Sequence, residues 1–251
     1  MLMNPKSTPD QKHNPADNPK AHPRRHALAV YLSTPSHPAI LFQSATAVAI
    51  RDLFPKSAVH TLLLPRSPAH NLLHPFAAFD DPVFLAAVKR DAVRLRTLVA
   101  AELRRVAGAE SVADAPRRAA LSNLCSDSEA GGRTGGGGWD PDGLPRGRDW
   151  DAEVRCGVHA VPSMNHVHVH VLSRDMHSEK MKHRKHYNSF TTPFFVDLDE
   201  FPLALDDPRR ARHEDYLKRD LVCWRCARNF GNRFAELKRH LDEEYEEWRR
   251  E

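Results

Sequence analysis

Three histidines alternate with valines in the segment HVHVHV at residues 166–171. Successive side chains of a β-strand point to opposite faces, so a strand here would place His166, His168 and His170 on one face and the valines in the core. Three interpretations suit such a row: a solvated polar face, a zinc site, or catalysis in which a neutral imidazole attacks phosphorus. The strict alternation favours catalysis and leaves the other two open.

A second candidate site lies towards the C-terminus, where Cys223 and Cys226 are followed by His240 and Glu244. His240 and Glu244 are four residues apart, so they share one face of the helix predicted there. Two thiolates, an imidazole and a carboxylate complete a tetrahedral zinc shell. Such a module folds on its metal, so this Zn²⁺ would be structural.

The fourth ligand of this zinc site has alternatives. Zinc fingers usually end in His or Cys, and Glu243 or Glu247 could replace Glu244. A redox C-x-x-C pair is the rival interpretation, but no thioredoxin-like strand and helix surround these cysteines.

The composition limits the class of protein. The 251 residues include 16 histidines, four cysteines and 41% hydrophobic residues, and Lys+Arg exceed Asp+Glu by 37 to 33. This apolar content argues against a wholly disordered chain, and the cysteines are too few for a disulfide scaffold. No apolar run approaches the ~18 residues of a membrane helix, and the N-terminus lacks a signal-like apolar core. We therefore expect a soluble intracellular protein without a membrane partner.

Periodicity and turn residues predict elements of both kinds. The strongest is an amphipathic helix that begins at Pro82, with Asp81 as its N-cap, and extends to about Val106. The other predicted elements are strands at 47–50, 58–64, 154–161 and 165–172, the last two forming a hairpin around Pro162 and Ser163, and helices at 208–219 and from about 233.

Composition also divides the chain into parts. Residues 1–25, rich in Pro, Asn, Lys and His, are predicted to be a disordered tail. Residues 26–206 are predicted to form the main domain, with a flexible Gly-rich insertion near 126–150, and residues 207–251 to form the zinc-finger module.

The histidine segment and its surroundings resemble a known family. HVHVHVL at 166–172 resembles the motif of the histidine-triad nucleotide hydrolases and transferases. IRDLFPKSAVHTLLLPR at 50–66, HAVPSMNHVHVHVLS at 159–173 and KHRKHYNSF at 182–190 are similar to the aprataxin-like DNA deadenylase branch. The resemblance covers about residues 27–66 and 150–251. It implies an α+β histidine-triad fold, an antiparallel sheet with helices, plus a small C-terminal zinc finger with Glu244 as fourth ligand.

The resemblance implies a mechanism. His168 would attack the adenylate phosphorus and form a covalent AMP–histidine intermediate, from which water releases AMP. The leaving group would be a 5′-phosphorylated DNA end. His166 and His170 would position the phosphate and the nucleophile, and His177 would protonate the leaving group. No catalytic metal is required.

It also implies a nucleotide-binding set. Asp52 would hydrogen-bond the ribose hydroxyls, and Ile50 and Leu53 would form walls of the adenine pocket. Ser173 and His159 match positions near the phosphate.

Basic residues flank the histidine segment and suit contacts with DNA phosphates. A solvated charged surface is the alternative interpretation. The predicted DNA-binding residues are Lys56, Lys180, Lys182, Arg184, Lys185 and His186.

These features together predict a DNA 5′-adenylate hydrolase that removes AMP from abortive ligation intermediates in strand-break repair, and hence a nuclear protein. Its partners would be DNA with 5′-adenylated ends or nicks. The alternatives are a general nucleotide or dinucleoside phosphate hydrolase, and a DNA-binding zinc-finger protein with an inert triad. The sequence departs from the branch in one respect: residues 1–30 contain no aromatic wedge residue, and Tyr31 is the first aromatic.

Overall fold

A computed structural model describes residues 23–126, 143–211 and 214–251. Almost all of the predicted N-terminal tail and most of the predicted Gly-rich insertion lie outside these residues. None of the helices in the described ranges has the length and apolar character needed to cross a membrane.

Six antiparallel strands form one sheet in the order β1-β2-β3-β5-β4-β6. This arrangement places β5, the strand that carries part of the histidine segment, at the centre of the sheet. The strands are β1 (Ile40–Gln43), β2 (Ala47–Arg51), β3 (His60–Pro65), β4 (Val154–His159), β5 (Val169–Ser173) and β6 (Phe195–Asp197).

Six α-helices accompany the sheet in the described ranges. They are α1 (Ala29–Ser33), α2 (Pro75–Ala78), α3 (Pro82–Ala107), α4 (Ala115–Ser126), α5 (Arg184–Thr191) and α6 (Phe234–Trp248). The predicted start of α3 is confirmed, because the Asp81 carboxylate accepts the N–H groups of Val83 and Phe84 at 2.8 and 3.1 Å.

The long helix α3 covers one face of the sheet and leaves the other for the histidines. Val169 and Val171 of β5 belong to the same core cluster as Val88 and Leu95 of α3. Because side chains alternate along a strand, His170 points to the opposite face. On that face Ile50, with Val48, Leu62 and Leu64, packs against Leu28, just before α1.

The predicted strand 165–172 is wrong at its beginning, because β5 starts only at Val169. The Asn165 N–H donates to the Arg25 carbonyl at 2.9 Å, and the Val167 N–H donates to the Asn71 carbonyl at 2.8 Å. The backbone before β5 is therefore bound by loops instead of a neighbouring strand, and His166 and His168 precede the sheet ladder.

The predicted helix at 208–219 is also wrong. Its described residues form two 3₁₀ turns, Pro208–Ala211 and Glu214–Lys218. The Arg210 guanidinium bonds the Leu203 and Ala204 carbonyls at 2.7 and 2.8 Å, which ties the first turn to the preceding loop. By contrast, the helix predicted from about 233 is confirmed as α6.

The C-terminal module shares a core with the rest of the protein. Leu221, Phe230 and Leu237 belong to one buried cluster with Leu172 at β5 and Tyr187 of α5. The hydrophobic surface of the module is therefore buried against the sheet and α5 as well as against itself.

Candidate active site and metal centre

The ring orientation of His168 is fixed by the backbone two residues earlier. Its Nδ1 lies 2.7 Å from the His166 carbonyl oxygen, which accepts a hydrogen bond and therefore requires a proton on Nδ1. In the neutral imidazole the other nitrogen, Nε2, then carries the lone pair. This arrangement depends on the irregular backbone before β5, because a carbonyl paired in the sheet would not face its own i+2 ring.

A chain of hydrogen bonds fixes the neighbouring rings as well. The Lys56 backbone N–H donates to His60 Nδ1 at 3.0 Å, so the proton of neutral His60 is on Nε2. His60 Nε2 lies 3.0 Å from His170 Nδ1 and 3.4 Å from the Asp52 carboxylate. His170 Nδ1 thus accepts a hydrogen bond from the Nε2–H of His60, and the proton of neutral His170 is on Nε2.

Three buried imidazole nitrogens near His168 have no hydrogen-bond partner within the described part of the chain: His159 Nε2, His166 Nδ1 and His170 Nε2. The ring centroid of His170 lies 5.0 Å from that of His168 and 4.4 Å from that of His159. Buried polar groups are normally satisfied, so three unpaired nitrogens gathered beside His168, of which His170 Nε2 carries a proton, suit the polar atoms of a bound phosphate group.

Burial keeps these imidazoles neutral. Desolvation lowers the pKa of His168, and it lowers the pKa of His60 to about 4. The pKa values of His159 and His170 lie well below the usual 6.5 for the same reason. At neutral pH the Nε2 lone pair of His168 is therefore available.

The same pKa shifts predict acid sensitivity of the fold. Between pH 6.5 and the lowered pKa values, the unfolded chain binds protons at these four histidines that the folded protein does not. The free energy of unfolding should therefore decrease as the pH falls below 6.5, and His60 alone should contribute up to about 1.4 kcal/mol per pH unit between pH 6.5 and 5. Denaturant unfolding at several pH values measures this slope. A His60→Gln variant lacks one titration and should show a smaller slope; an unchanged slope contradicts the prediction.

One cavity of about 600 Å³ adjoins His168 and is mostly apolar. Its polar lining comprises Asp52, Lys56, Ser163 and His168 together with Tyr31 of α1. Its apolar lining comprises Ala27, Leu28, Ile50, Leu53, Phe54, Leu62 and Met164. The size and the apolar walls suit a nucleobase, with polar groups left for a sugar and phosphate.

A second cavity, also of about 600 Å³, shares Asp52, Lys56 and Ser163 with the first. The other side chains of its lining include Arg25, His60, His159, Lys185, His186, Ser189 and Phe190. The two cavities therefore meet at the side chains of Asp52, Lys56 and Ser163, beside the rings of His60 and His168.

The structure brings most of the predicted site residues to these cavities. Those that line one or both are Ile50, Asp52, Leu53, Lys56, His159, His168, Lys185 and His186. Lys180 and Lys182 are exposed on the segment before α5, and Arg184 is partly buried at its start; none of the three lines either cavity.

Four further predicted residues line neither cavity. Two of them, His166 and His170, lie beside His168: the ring centroids of His170 and His168 are 5.0 Å apart, and the His166 carbonyl accepts the His168 Nδ1–H.

The other two, Ser173 and His177, lie elsewhere. Ser173 is fully buried, and its hydroxyl bonds Asp175 and the Val59 backbone, so its hydrogen bonds are used within the fold. The His177 ring stacks on Tyr245 of α6 at 4.1 Å, and its Nε2 lies 3.2 Å from the Asp242 carboxylate. Neither residue lines either cavity.

Sequence reasoning missed Leu28, Phe54, Ser163 and Met164 of the cavity linings. Ser163 and Met164 stand immediately before the histidine segment, and Phe54 lies between Asp52 and Lys56. Their closeness in sequence to predicted site residues could have indicated that they line the site. Leu28 offered none, because its role depends on how the N-terminal segment packs.

The four predicted zinc ligands form a cluster. The ligand atoms of Cys223, Cys226, His240 and Glu244 all lie within 4.8 Å of one another. His240 Nε2 is 3.1 Å from Cys226 Sγ and 3.0 Å from the Glu244 carboxylate. With metal–ligand bonds of about 2.0–2.3 Å, such separations fit donors that share one tetrahedral ion.

The alternative fourth ligands fit less well. The side chains of Glu243 and Glu247 are 79% and 69% exposed, whereas that of Glu244 is 8% exposed.

Asp52, His60 and His170 also place ligand atoms within 4.8 Å of one another. The hydrogen bonds among these three side chains account for their proximity.

Profiles of two families match the chain. One described as "HIT domain" matches residues 35–177, and one described as "C2HE / C2H2 / C2HC zinc-binding finger" matches residues 191–247. The fold and the site thus define a histidine-triad protein with a C-terminal zinc-binding finger.

Whole-chain relatives narrow the class. An aprataxin-like protein of Schizosaccharomyces pombe is 31% identical over 89% of this chain and 82% of its own, and one of Saccharomyces cerevisiae is 31% identical over 88% and 95%. The solved aprataxin ortholog Hnt3 in complex with DNA has a TM-score of 0.68 and 30% identity, covering 90% of this chain and 96% of its own. Hnt3 has also been solved with DNA and guanosine, with a TM-score of 0.67 and 29% identity over 90% of this chain and 97% of that one. The chain belongs to the aprataxin-like proteins.

Proposed function

We propose that this protein is a DNA 5′-adenylate hydrolase, which removes AMP from abortive ligation intermediates and restores a 5′-phosphate in strand-break repair. The observation that carries the proposal is the fixed ring of His168, whose free Nε2 adjoins a nucleobase-sized apolar cavity next to a second cavity with basic residues. Relatives solved with DNA support the same substrate class.

The first chemical step forms an N–P bond. The lone pair on His168 Nε2 attacks the adenylate phosphorus, the P–O bond to the DNA phosphate breaks, and the 5′-phosphorylated end leaves with the electron pair. The His166 carbonyl, already bonded to Nδ1–H, stabilises the positive charge that develops on the ring. The Nε2–H of His170 supplies a buried donor for a phosphoryl oxygen, and the unpaired His159 Nε2 belongs to the adjacent ring.

The second step reverses the bond change with water. A water oxygen attacks the same phosphorus and loses a proton to the solvent, the N–P bond breaks with its electron pair staying on Nε2, and AMP leaves as the neutral imidazole is restored. Lys56, partly buried between the two cavities, compensates phosphate charge in both steps. Protonation of the leaving group by His177 would require its ring to leave Asp242 and Tyr245.

The nucleoside would occupy the apolar cavity. Asp52 accepts the Phe54 N–H at 2.7 Å, which fixes its carboxylate at the cavity with acceptor capacity left for ribose hydroxyls. Ile50, Leu53 and Met164 would contact the base. The DNA end would follow the second cavity, and this substrate implies residence in the nucleus.

We assign a structural Zn²⁺ to the cluster of Cys223, Cys226, His240 and Glu244. Two thiolates among four closely spaced donors form the ligand set that zinc prefers, and the C2HE family match supports the same metal. The ion would hold the C-x-x-C turn against α6.

The proposal is tested with nicked DNA that carries a 5′-adenylate. We expect release of AMP and of a 5′-phosphate end, and a transient protein–AMP adduct after denaturation at alkaline pH, since phosphoramidates are acid-labile. Equal activity on free dinucleoside phosphates would favour a general nucleotide hydrolase. DNA binding without AMP release would favour a binding protein with an inert triad.

Lys185, in the lining of the second cavity, predicts a salt-dependent contact with DNA. If Lys185 neutralises one DNA phosphate, Lys185→Ala should reduce the slope of log affinity against log salt by about 1. Fluorescence-anisotropy titrations at several salt concentrations measure this slope. Arg90→Ala is the matched control, because exposed Arg90 belongs to α3 on the opposite face of the sheet. Equal slopes for both variants contradict the assignment.

A further inference from the structure

The turn at residues 174–177, directly after β5, is bound by the loop before β3 on one side and by the C-terminal module on the other. Its centre is Asp175, which is 1% exposed. Asp175 accepts the N–H of His177 at 2.8 Å and the N–H of Ala58 at 2.9 Å. Met176 within the turn has φ of 52°, a left-handed conformation that persists in a non-glycine residue only when its surroundings hold it.

On one side the turn holds the loop that carries Lys56 and His60. Ala58, bonded to Asp175, lies between Lys56 and His60, whose mutual hydrogen bond fixes the ring of His60. The Ser178 hydroxyl adds a second link by donating to the Pro55 carbonyl at 2.7 Å. A displacement of the turn would therefore move the residues that set the His170 tautomer.

On the other side the turn is held by the metal-binding C-x-x-C segment. Trp224 lies between Cys223 and Cys226, and its indole N–H donates to the Asp175 carbonyl at 3.1 Å. The Trp224 backbone N–H donates to the Tyr187 hydroxyl at 2.9 Å, and this hydroxyl donates to the Val222 carbonyl at 3.0 Å.

We propose that Trp224 is a positioning residue for the phosphoryl chemistry: the metal-bound finger, through Trp224 and Asp175, holds the loop of Lys56 and His60 in its catalytic geometry. The finger then contributes to the reaction itself, in addition to any contact it makes with DNA. Hydrolysis of an adenylate that carries no DNA should consequently depend on the finger. For its catalytic readout this inference rests on the proposed function.

The test compares Trp224→Phe with Arg239→Ala in the full-length, zinc-loaded protein. Phenylalanine keeps an aromatic ring and removes the indole donor, whereas Arg239 is an exposed residue of α6. With the p-nitrophenyl ester of AMP as substrate, we expect kcat of Trp224→Phe to fall by about 10- to 100-fold with little change in KM. Arg239→Ala should retain the wild-type kcat.

A second readout does not depend on activity. Hydrogen exchange of the Ala58 and His177 amides, both bonded to Asp175, should accelerate in Trp224→Phe while the zinc content stays at the wild-type level. Unchanged exchange at both amides, or an unchanged kcat, overturns the inference. Should Trp224→Phe lose zinc, Tyr187→Phe, which loses only the bridging hydroxyl, decides by the same two readouts. If the wild-type protein hydrolyses no adenylate, the proposed function is refuted. The hydrogen-exchange comparison still decides whether Trp224 holds the turn and the loop before β3 in place.

Discussion

Replacing His168 by alanine should reduce release of AMP from 5′-adenylated DNA by at least about 10³-fold. The substitution removes the atom proposed to form the N–P bond, while the His170 donor remains to bind phosphate. Because His168 is only 6% exposed, the affinity for DNA should change little. Single-turnover assays with labelled adenylate measure the rate, and anisotropy measures binding.

Two controls make this result specific to the nucleophile. A His168→Gly variant supplied with free imidazole should regain part of the rate, because the added ring supplies the missing nitrogen. Unfolding curves of both variants separate chemistry from stability. AMP release at the wild-type rate in His168→Ala would refute the assignment of the nucleophile.

Replacing Cys223 by alanine should remove about one zinc per chain and unfold the finger. The Cys223 thiol is buried in the cluster with Cys226, His240 and Glu244, and a small metal module loses most of its folding free energy with its ion. Because Leu237 and Phe230 share a core with Leu172 and Tyr187, unfolding should also lower the melting temperature of the main domain. Elemental analysis and calorimetry check the two effects.

Cys156→Ala is the matched control for this substitution. Cys156 is a partly buried free cysteine on β4, and it does not belong to the metal cluster. Its variant should keep a full complement of zinc. Zinc retained at the wild-type level in Cys223→Ala would contradict the ligand set.

The alternation of histidines and valines predicted which face of β5 carries His170, whereas the proposed chemistry came from the resemblance to the histidine-triad family, since residue types alone left three interpretations open. Periodicity could not locate the start of the strand, because an alternating pattern extends beyond the residues that find a partner. The Asn71 and Arg25 carbonyls that bind the preceding backbone come from distant loops. That irregular backbone is what brings the His166 carbonyl to the His168 ring.

The position of His177 illustrates a second limit. The resemblance implied that it protonates the leaving group, but its neighbours Asp242 and Tyr245 come from a helix some 65 residues later. The part of His60 in fixing tautomers likewise depends on contacts, because only its bonds to Lys56 and His170 identify it. Spacing was a better guide to the cluster of Cys223, Cys226, His240 and Glu244, because all four lie within one short segment.

The sheet order has a consequence for how the protein is made. His60 of β3 pairs opposite Leu172 of β5, so more than a hundred residues separate partners in the middle of the sheet. On the ribosome, the β2–β3 hairpin is complete long before β5 emerges, and it exposes Leu62, Leu63 and Leu64 along an open edge. We expect this nascent intermediate to be a target for chaperones, and the active site to assemble only when the central strand is inserted.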